Sequence, residues 1–244
     1  MLELKNISFS AANQGTGEEK DILTDVSLTA PDGKFIVITG PNGGGKSTLA
    51  KIIMGIEQPT AGQVILNGED ITQMSITDRA RRGVAYAFQQ PVRFKGLTVS
   101  DLVSLAAGKK LDRGELCGYL TEVGLCARDY VDRDVDASLS GGEIKRIEIA
   151  MAMVRKAPLT LFDEPEAGID LWSFNHLIDV FKKLRSVAGG SILIISHQER
   201  ILDIADEIIV LANGRIAAQG TKEEVLPTLL ATGASQTFCT GMEV

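Results

Sequence analysis

The segment that sets the architecture reads Phe35-Ile-Val-Ile-Thr-Gly-Pro-Asn-Gly-Gly-Gly-Lys-Ser-Thr48. Its first five residues are apolar or β-branched, which is typical of a strand buried on both faces. Residues 40–48 match the pattern G-x-x-x-x-G-K-[S/T], which marks a phosphate-binding loop when it follows a strand and opens a helix. The segment therefore predicts a buried strand, a phosphate-binding loop and a helix that begins near Lys46.

The residue types in this loop suit phosphate binding. Glycines let the backbone turn tightly, so that its N–H groups point at phosphate oxygens, and the helix N-terminus adds partial positive charge. Lys46 supplies a full charge for the β- and γ-phosphates, and the Ser47 hydroxyl can ligate Mg²⁺. We predict that the nucleotide contacts Gly40, Pro41, Asn42, Gly43, Gly44, Gly45, Lys46, Ser47 and Thr48.

Composition excludes several classes of protein. The 244 residues are 44% hydrophobic and 23% charged, which is enough to bury a core and excludes wholesale disorder. A net charge of −7 disfavours a protein that coats nucleic acid. Apolar runs are far shorter than the ~20 residues of a membrane span, and the first residues show no secretory signal. We therefore expect a cytoplasmic protein without a membrane span and without nucleic acid as a partner.

Strand and helix patterns alternate along the chain. Asn67-Gly68 and Asn213-Gly214 are strong hairpin signals. Capping patterns at Thr98 and Thr221 predict helices, the second running through about Leu230. Strands are predicted at 2–7, 23–30, 84–88, 159–162, 191–195, 208–211 and 215–218, a helix at 112–123, and an acidic, solvated loop at 129–136.

An acidic pair follows the predicted strand at 159–162. A phosphate-binding loop requires a second site that holds the metal, and Asp163 at the end of this strand suits Mg²⁺. Glu164, the next residue, suits a base that orients or deprotonates the attacking water. Such a pair is often only a strand meeting solvent, but the phosphate-binding loop upstream favours the functional interpretation.

Leu139-Ser-Gly-Gly-Glu143 predicts a second Ser/Gly-rich helix N-terminus. One interpretation is an ordinary capped helix, since Ser is a good cap. The other is a second anion site. Two phosphate-binding segments on one chain suggest that this one serves the nucleotide of another chain.

With these motifs the chain resembles the ATP-binding cassette (ABC) ATPases over essentially its whole length. The resemblance implies an α/β fold: a P-loop NTPase core with an N-terminal antiparallel β part and an inserted helical subdomain. It implies a single domain over 1–244, with the catalytic core at 1–89 and 156–244 and the helical subdomain at about 90–155. It also implies a nucleotide-dependent homodimer, in which 139–143 closes over the partner's ATP, with Glu143 replacing the family's usual Gln.

The resemblance assigns further site residues. Gln89 falls at the family's Q-loop glutamine, residues 166–170 at its D-loop, and His197 at its switch histidine. The implied catalytic residues are Glu164, His197, Lys46 and Gln89, and the implied Mg²⁺ ligands are Ser47, Gln89 and Asp163. The implied ATP-binding set adds Gln89, Asp163, Ser140, Gly141, Gly142 and Glu143 to the loop at 40–48.

The sequences of several motifs are similar to those of one branch of the family. Ser-Gly-Gly-Glu-x-Lys-Arg-x-Glu (140–148) and Glu-x-Gly-Ile-Asp (166–170) are similar to the SufC-type ATPases of iron–sulfur cluster assembly. That similarity implies a soluble scaffold partner of the SufB/SufD type. The alternative is the ATP-binding subunit of a membrane transporter, whose chemistry is the same. A ribosome-associated cassette fits less well, because this acidic chain carries one cassette.

The base site departs from the family pattern. Many cassettes stack the adenine on an aromatic residue after the first strand, and the matching position here is Ala11, with Phe9 two residues earlier. Adenine stacking is therefore in doubt. The three cysteines, Cys117, Cys126 and Cys239, form no metal-binding spacing and are interpreted as reduced thiols. A metal or cluster role for Cys239 is the alternative.

Overall fold

The computed structural model describes residues 1–12, 19–89, 92–167, 171–188, 190–227 and 229. The strands are β1 (Leu2–Ala12), β2 (Glu19–Ala30), β3 (Phe35–Thr39), β4 (Ala61–Leu66), β5 (Glu69–Asp70), β6 (Val84–Ala87), β7 (Phe94–Thr98), β8 (Asp134–Val135), β9 (Leu159–Asp163), β10 (Ser191–Ile195), β11 (Glu207–Ala212) and β12 (Arg215–Thr221). The helices are α1 (Lys46–Met54), α2 (Ile76–Arg81), α3 (Val99–Ala107), α4 (Arg113–Glu122), α5 (Ala127–Tyr130), α6 (Gly141–Arg155), α7 (Leu171–Ala188) and α8 (Glu199–Leu202).

A six-stranded sheet in the order β12-β11-β3-β10-β9-β6 forms the centre of the fold. Its five strands from β11 to β6 are parallel, and β12 pairs antiparallel with β11 through the predicted hairpin at Asn213-Gly214. Ile195 on β10 lies opposite Ile38 on β3 and Asp163 on β9. Because neighbouring parallel strands end at the same edge, the loops after β3, β9 and β10 meet there.

A second, antiparallel sheet in the order β2-β1-β4-β5 forms the N-terminal part. β1 and β2 make the predicted hairpin, and both strands are longer than their sequence pattern indicates, since β1 continues to Ala12 and β2 begins at Glu19. Residues 13–18 of the predicted hairpin loop lie outside the described residues. Fold class and antiparallel N-terminal part thus agree with the sequence prediction.

Helices dominate between β6 and β9. The predicted capping box at Thr98 is present, with Thr98 Oγ1 accepting from the Asp101 N–H and the Asp101 carboxylate accepting from the Thr98 N–H. The sequence pattern did not predict β7 and β8, which form a two-stranded sheet within this region. Asp134 belongs to β8, so the acidic segment is not wholly a loop.

The central sheet separates two hydrophobic cores. Phe35 and Val37 of β3 face the core that includes α6 and α7, whereas Ile36 and Ile38 face the core shared with α1 and the antiparallel sheet. This alternation explains why β3 is apolar at nearly every position: both of its faces are buried. No helix among the described residues is long and apolar enough to span a membrane.

Candidate functional site

The loop between β3 and α1 is pressed against the turn that joins β11 and β12. A Cβ at Gly40 would lie 2.1 Å from the Leu211 carbonyl oxygen, and one at Gly44 would lie 2.7 Å from the same oxygen. The Gly214 N–H donates to the Gly44 carbonyl at 3.2 Å. The fold itself therefore requires glycine at 40 and 44. This turn has no part in the sequence motif, and the parallel pairing of β11 with β3 brings it to the loop.

Lys46 begins α1, and its side chain folds back over the loop. The Nζ ammonium donates to the carbonyl oxygens of Gly40 at 2.7 Å and Pro41 at 2.8 Å. Burial lowers the pKa of Lys46, and the nearby carboxylates of Glu164 and Asp163 oppose that change. The structure thus places a cation inside the loop, with the two acidic residues close enough to act on it.

Ser47 and Asp163 meet at the end of β9. Ser47 Oγ lies 3.4 Å from Asp163 Oδ1, and the Tyr86 hydroxyl donates to Asp163 Oδ2 at 3.0 Å. Burial raises the pKa of Asp163, against the effect of these two hydroxyl donors. Two Mg²⁺ ligands at adjacent corners of an octahedron lie about 3 Å apart, so the Ser47 and Asp163 oxygens fit one ion. Tyr86 was not foreseen from the sequence, because its contact depends on the pairing of β6 with β9.

The described residues include no group of three or more His, Cys, Asp or Glu side chains that could hold a metal ion by themselves. Proteins usually bind Mg²⁺ through one or two carboxylates together with phosphate oxygens of the substrate.

Glu164 and Gln89 are brought together although 75 residues separate them. Gln89 Nε2 donates to Glu164 Oε2 at 2.5 Å, and the Glu164 N–H donates to the Ile195 carbonyl at 2.9 Å. Glu164 adopts a φ of 45°, a left-handed conformation that non-glycine residues seldom adopt. Such strained backbone conformations are concentrated at functional sites. Here the left-handed conformation turns the chain away from β9 at the residue that carries the carboxylate.

His197 lies two residues beyond Ile195, the last residue of β10, and is exposed. Because Ile195 pairs with Asp163, His197 emerges at the same sheet edge as Glu164. The D-loop prediction is only partly described, since residues 168–170 lie outside the described residues. Cys239 also lies outside the described residues.

A cavity of about 590 Å³ lies over the loop. Predicted site residues line its floor, and unforeseen ones line its wall: Lys20, Asp21 and Ile22 of β2 and the turn residues Asn213 and Gly214. None of the described lining residues is aromatic. The undescribed residues 13–18 read Asn-Gln-Gly-Thr-Gly-Glu, and Phe9 packs against the hydrophobic core. The predicted loss of the aromatic residue at Ala11 is thus not compensated by a neighbouring aromatic in this part of the chain.

The second glycine-rich segment does not line this cavity. Ser140 caps α6, and its Oγ accepts from the Glu143 N–H at 3.3 Å while Glu143 Oε2 accepts from the Ser140 N–H at 2.6 Å. The Tyr130 hydroxyl also donates to Glu143, and this bond lowers the pKa of the Glu143 carboxyl. A capped helix is compatible with both interpretations of the segment, an ordinary helix start and an anion site for another chain. The Glu143 side chain takes part in the cap.

An apolar groove lies where β6 meets the helical region. Phe88, Val92 and Phe94 expose large side chains beside it, and Ile144 and Ile147 of α6 line its inner side. The Lys145 ammonium, buried below, donates to the Phe88 carbonyl and pairs with Glu148 at 3.2 Å. The groove therefore adjoins Gln89, which contacts the Glu164 carboxylate.

Comparison with known proteins agrees with this geometry. The ABC transporter family model matches residues 23–167, which is more than half of the chain. An uncharacterised ABC transporter ATP-binding protein of Methanocaldococcus jannaschii, MJ0035, is 39% identical over 214 residues, covering 84% of this chain and 85% of that protein. The sulfate/thiosulfate import ATP-binding protein CysA of Synechocystis sp. is 34% identical over 83% of this chain, which spans 57% of that relative.

Solved structures give the same result. A dimeric ATP-binding cassette, MJ0796, in a post-hydrolysis state bound to ADP and Pi, superposes with a TM-score of 0.79 and 25% identity, covering 91% of this chain and 99% of that one. The match extends over both sheets and the helical region rather than over the phosphate-binding loop alone. The chain therefore belongs to the ABC transporter family, and it is an ATP-binding cassette that hydrolyses ATP.

Proposed function

We propose that two copies of this chain enclose two ATP–Mg²⁺ complexes and power a membrane transporter. Each site takes Lys46, Ser47, Gln89, Asp163, Glu164 and His197 from one chain and Ser140, Gly141 and Gly142 from the other. The named relatives are ATP-binding proteins of transporters, which supports this proposal over the iron–sulfur alternative. The solved cassette is a dimer, which supports a site shared by two chains.

The phosphates of ATP bind to the backbone N–H groups of the loop and to Lys46. The Lys46 ammonium exchanges its two carbonyl acceptors for phosphate oxygens, which carry more negative charge. Ser47 and Asp163 hold the Mg²⁺ that accompanies ATP and neutralises charge on the phosphates. Tyr86 keeps Asp163 in place by donating to the oxygen that does not face Ser47.

Hydrolysis requires that a water molecule be oriented toward the γ-phosphate. Glu164 accepts a hydrogen bond from that water and takes its proton, while His197, at the same sheet edge, contacts the γ-phosphate. Gln89 donates to Glu164, so any displacement of Gln89 changes the position of the base. This contact is the physical link between the catalytic residues and the neighbouring groove.

The proposed dimer is supported by the second glycine-rich segment, where no described contact within the chain requires glycine. Gly141 and Gly142 have ordinary helical backbone, and a Cβ at either would meet no described atom within 4 Å. The fold of this chain alone would accept larger residues at both positions. A helix N-terminus kept free of side chains suits close approach by a phosphate from outside the chain, and in a head-to-tail dimer that phosphate belongs to the partner's ATP.

The groove beside β6 suits a partner that senses nucleotide state. Phe88, Val92 and Phe94 are exposed apolar side chains at one edge of the groove, the kind of surface that marks protein contacts. Gln89 follows Phe88 directly. A partner seated there would act on Gln89 and, through it, on Glu164.

A second candidate, assembly of iron–sulfur clusters with a SufB/SufD-like scaffold, rests on one observation. Lys145 and Glu148, which belong to the branch-like motif at 140–148, form an ion pair below the groove, in which Lys145 is buried and Glu148 is partly buried. These two residues of the branch-like motif thus lie beside the surface where a partner would bind, and not in the ATP cavity.

Co-purification separates the two candidates. The transporter proposal predicts that a membrane protein is recovered with this chain in detergent, and that Phe94→Glu abolishes recovery without changing basal ATP hydrolysis. Ile76→Glu is the matched control, since Ile76 is an equally exposed apolar residue on α2, away from the groove. A partner recovered without detergent, which gains iron–sulfur absorbance on reconstitution, would instead establish the second candidate.

A further inference from the structure

Glu166 is a buried carboxylate to which the proposed mechanism gives no role. Only 8% of its surface is exposed. Its Oε1 accepts a hydrogen bond from the Ser196 hydroxyl at 2.5 Å, whereas Oε2 is buried and has no partner among the described residues. A buried polar atom without a partner costs about 1–3 kcal/mol. Among the described contacts, this carboxylate is therefore a cost to the fold.

Ser196 connects Glu166 to the backbone on both sides of His197. Ser196 is fully buried after β10, and its N–H donates to the Ile38 carbonyl at 3.1 Å. Its hydroxyl oxygen also accepts from the Gln198 N–H at 3.1 Å. The hydrogen bonds from Gln198 to Ser196 and from Ser196 to Glu166 thus fix residues 196–198 as a turn with His197 at its centre.

The other end of this chain of hydrogen bonds lies beside the proposed base. Glu166 is two residues beyond Glu164, and the Ala167 N–H donates to the Glu164 carbonyl at 3.0 Å. Burial raises the pKa of Glu166, and the Ser196 hydrogen bond and the nearby His197 oppose that rise. His197 is thus close enough to Glu166 to interact with it electrostatically.

We propose that Glu166 is a positioning residue that, through Ser196, holds His197 in register with Glu164. The inference deepens the proposed function and rests on the role given there to His197. Among the described residues, this side-chain bond and the backbone bond from the Glu164 N–H to the Ile195 carbonyl join the segments after β9 and β10. Loss of the side-chain bond would let the imidazole move relative to Glu164 while leaving the ATP cavity intact.

Steady-state hydrolysis by single and double variants tests the proposal. Glu166→Ala and Ser196→Ala should each lower kcat about ten- to a hundredfold, since small misplacements of a reacting group have effects of that size. KM for ATP should change little, because neither residue lines the cavity. Glu166→Gln keeps the acceptor oxygen and should recover most of the turnover. The use of two independent alanine variants guards against one that fails to fold.

The double variants decide between positioning and a merely structural role. In a His197→Ala background, Glu166→Ala should cause no further loss of kcat, because its effect passes through His197. A further loss of the same factor would overturn the positioning role and leave the proposed function standing. Native turnover by His197→Ala alone would overturn both the role of His197 and this inference.

Discussion

Gly142→Ala should have opposite effects on the stability of the fold and on ATP hydrolysis. Gly142 lies in the first turn of α6, and a Cβ there would meet no described atom within 4 Å. Alanine loses less backbone entropy than glycine on entering a helix, so the variant should gain about 0.5–1 kcal/mol of stability. For a chain of 244 residues, at about 2–4 °C per kcal/mol, the expected rise in Tm is about 1–4 °C.

The same substitution should impair hydrolysis. In the proposed dimer, the added methyl group projects toward the phosphates of the partner's ATP, where Gly142 leaves room. We expect kcat at saturating ATP and Mg²⁺ to fall at least about tenfold, which corresponds to about 1.4 kcal/mol of lost transition-state stabilisation. A more stable protein that is a poorer enzyme is the expected signature, and loss of structure cannot produce it.

Gly118→Ala is the matched control. Gly118 lies in α4 and is exposed, and a Cβ there would likewise meet no described atom within 4 Å. It should give a similar rise in Tm with native turnover. Thermal unfolding by circular dichroism and phosphate release measure the two quantities. Native turnover by Gly142→Ala, or a lowered Tm, would refute the reasoning.

Four further outcomes are expected. Glu164→Gln should bind ATP normally in a filter assay while turnover falls at least about a hundredfold; retained turnover would remove Glu164 as the base. Arg79→Met should lose at least about 1–3 kcal/mol in chemical unfolding, the cost of a buried acceptor left without its donor, because the fully buried Arg79 guanidinium donates to carbonyls of α1 and of residues 72 and 74, whereas the exposed control Arg81→Met should lose almost none. Burial raises the pKa of Asp163 above 3.8, so the folded chain keeps that proton to higher pH than the unfolded chain and is destabilised once the carboxyl ionises; Asp163→Asn should therefore unfold at a higher temperature than the native chain at pH 7, with the difference vanishing toward pH 3.8. Because Ile22 and its neighbours, rather than an aromatic ring, form the cavity wall, kcat/KM for GTP should lie within about tenfold of that for ATP; a preference for ATP above about a hundredfold would contradict this.

Local signals in the sequence predicted much of the fold. These signals depend only on neighbours within a few residues, so they can be recognised from the sequence alone. They are the apolar run from Phe35 to Thr39, both Asn-Gly turns and the helix caps at Thr98 and Ser140. The short strand β8 was missed because two residues carry no periodicity. The boundaries of the helical subdomain at about 90 and 155 remain predictions.

Contacts between distant residues were the part that the sequence could not reveal. Tyr86 reaches Asp163 only because β6 pairs with β9, and Leu211 limits Gly40 only because β11 pairs with β3. Glu166 was assigned to a loop motif, but its buried bond to Ser196 depends on the pairing of β9 with β10. The order of strands in the sheet determines these contacts, and no single segment of the sequence reveals that order.

Light scattering on Glu164→Gln tests the central claim, the shared ATP site, most directly. The variant binds ATP without consuming it, so we predict a mass of 26.1 kDa without nucleotide and twice that value with ATP and Mg²⁺. Adding Gly142→Ala should abolish the dimer, and adding Gly118→Ala should not. A mass that stays at the monomer value with ATP, or a dimer that survives Gly142→Ala, would contradict a site completed by the second chain.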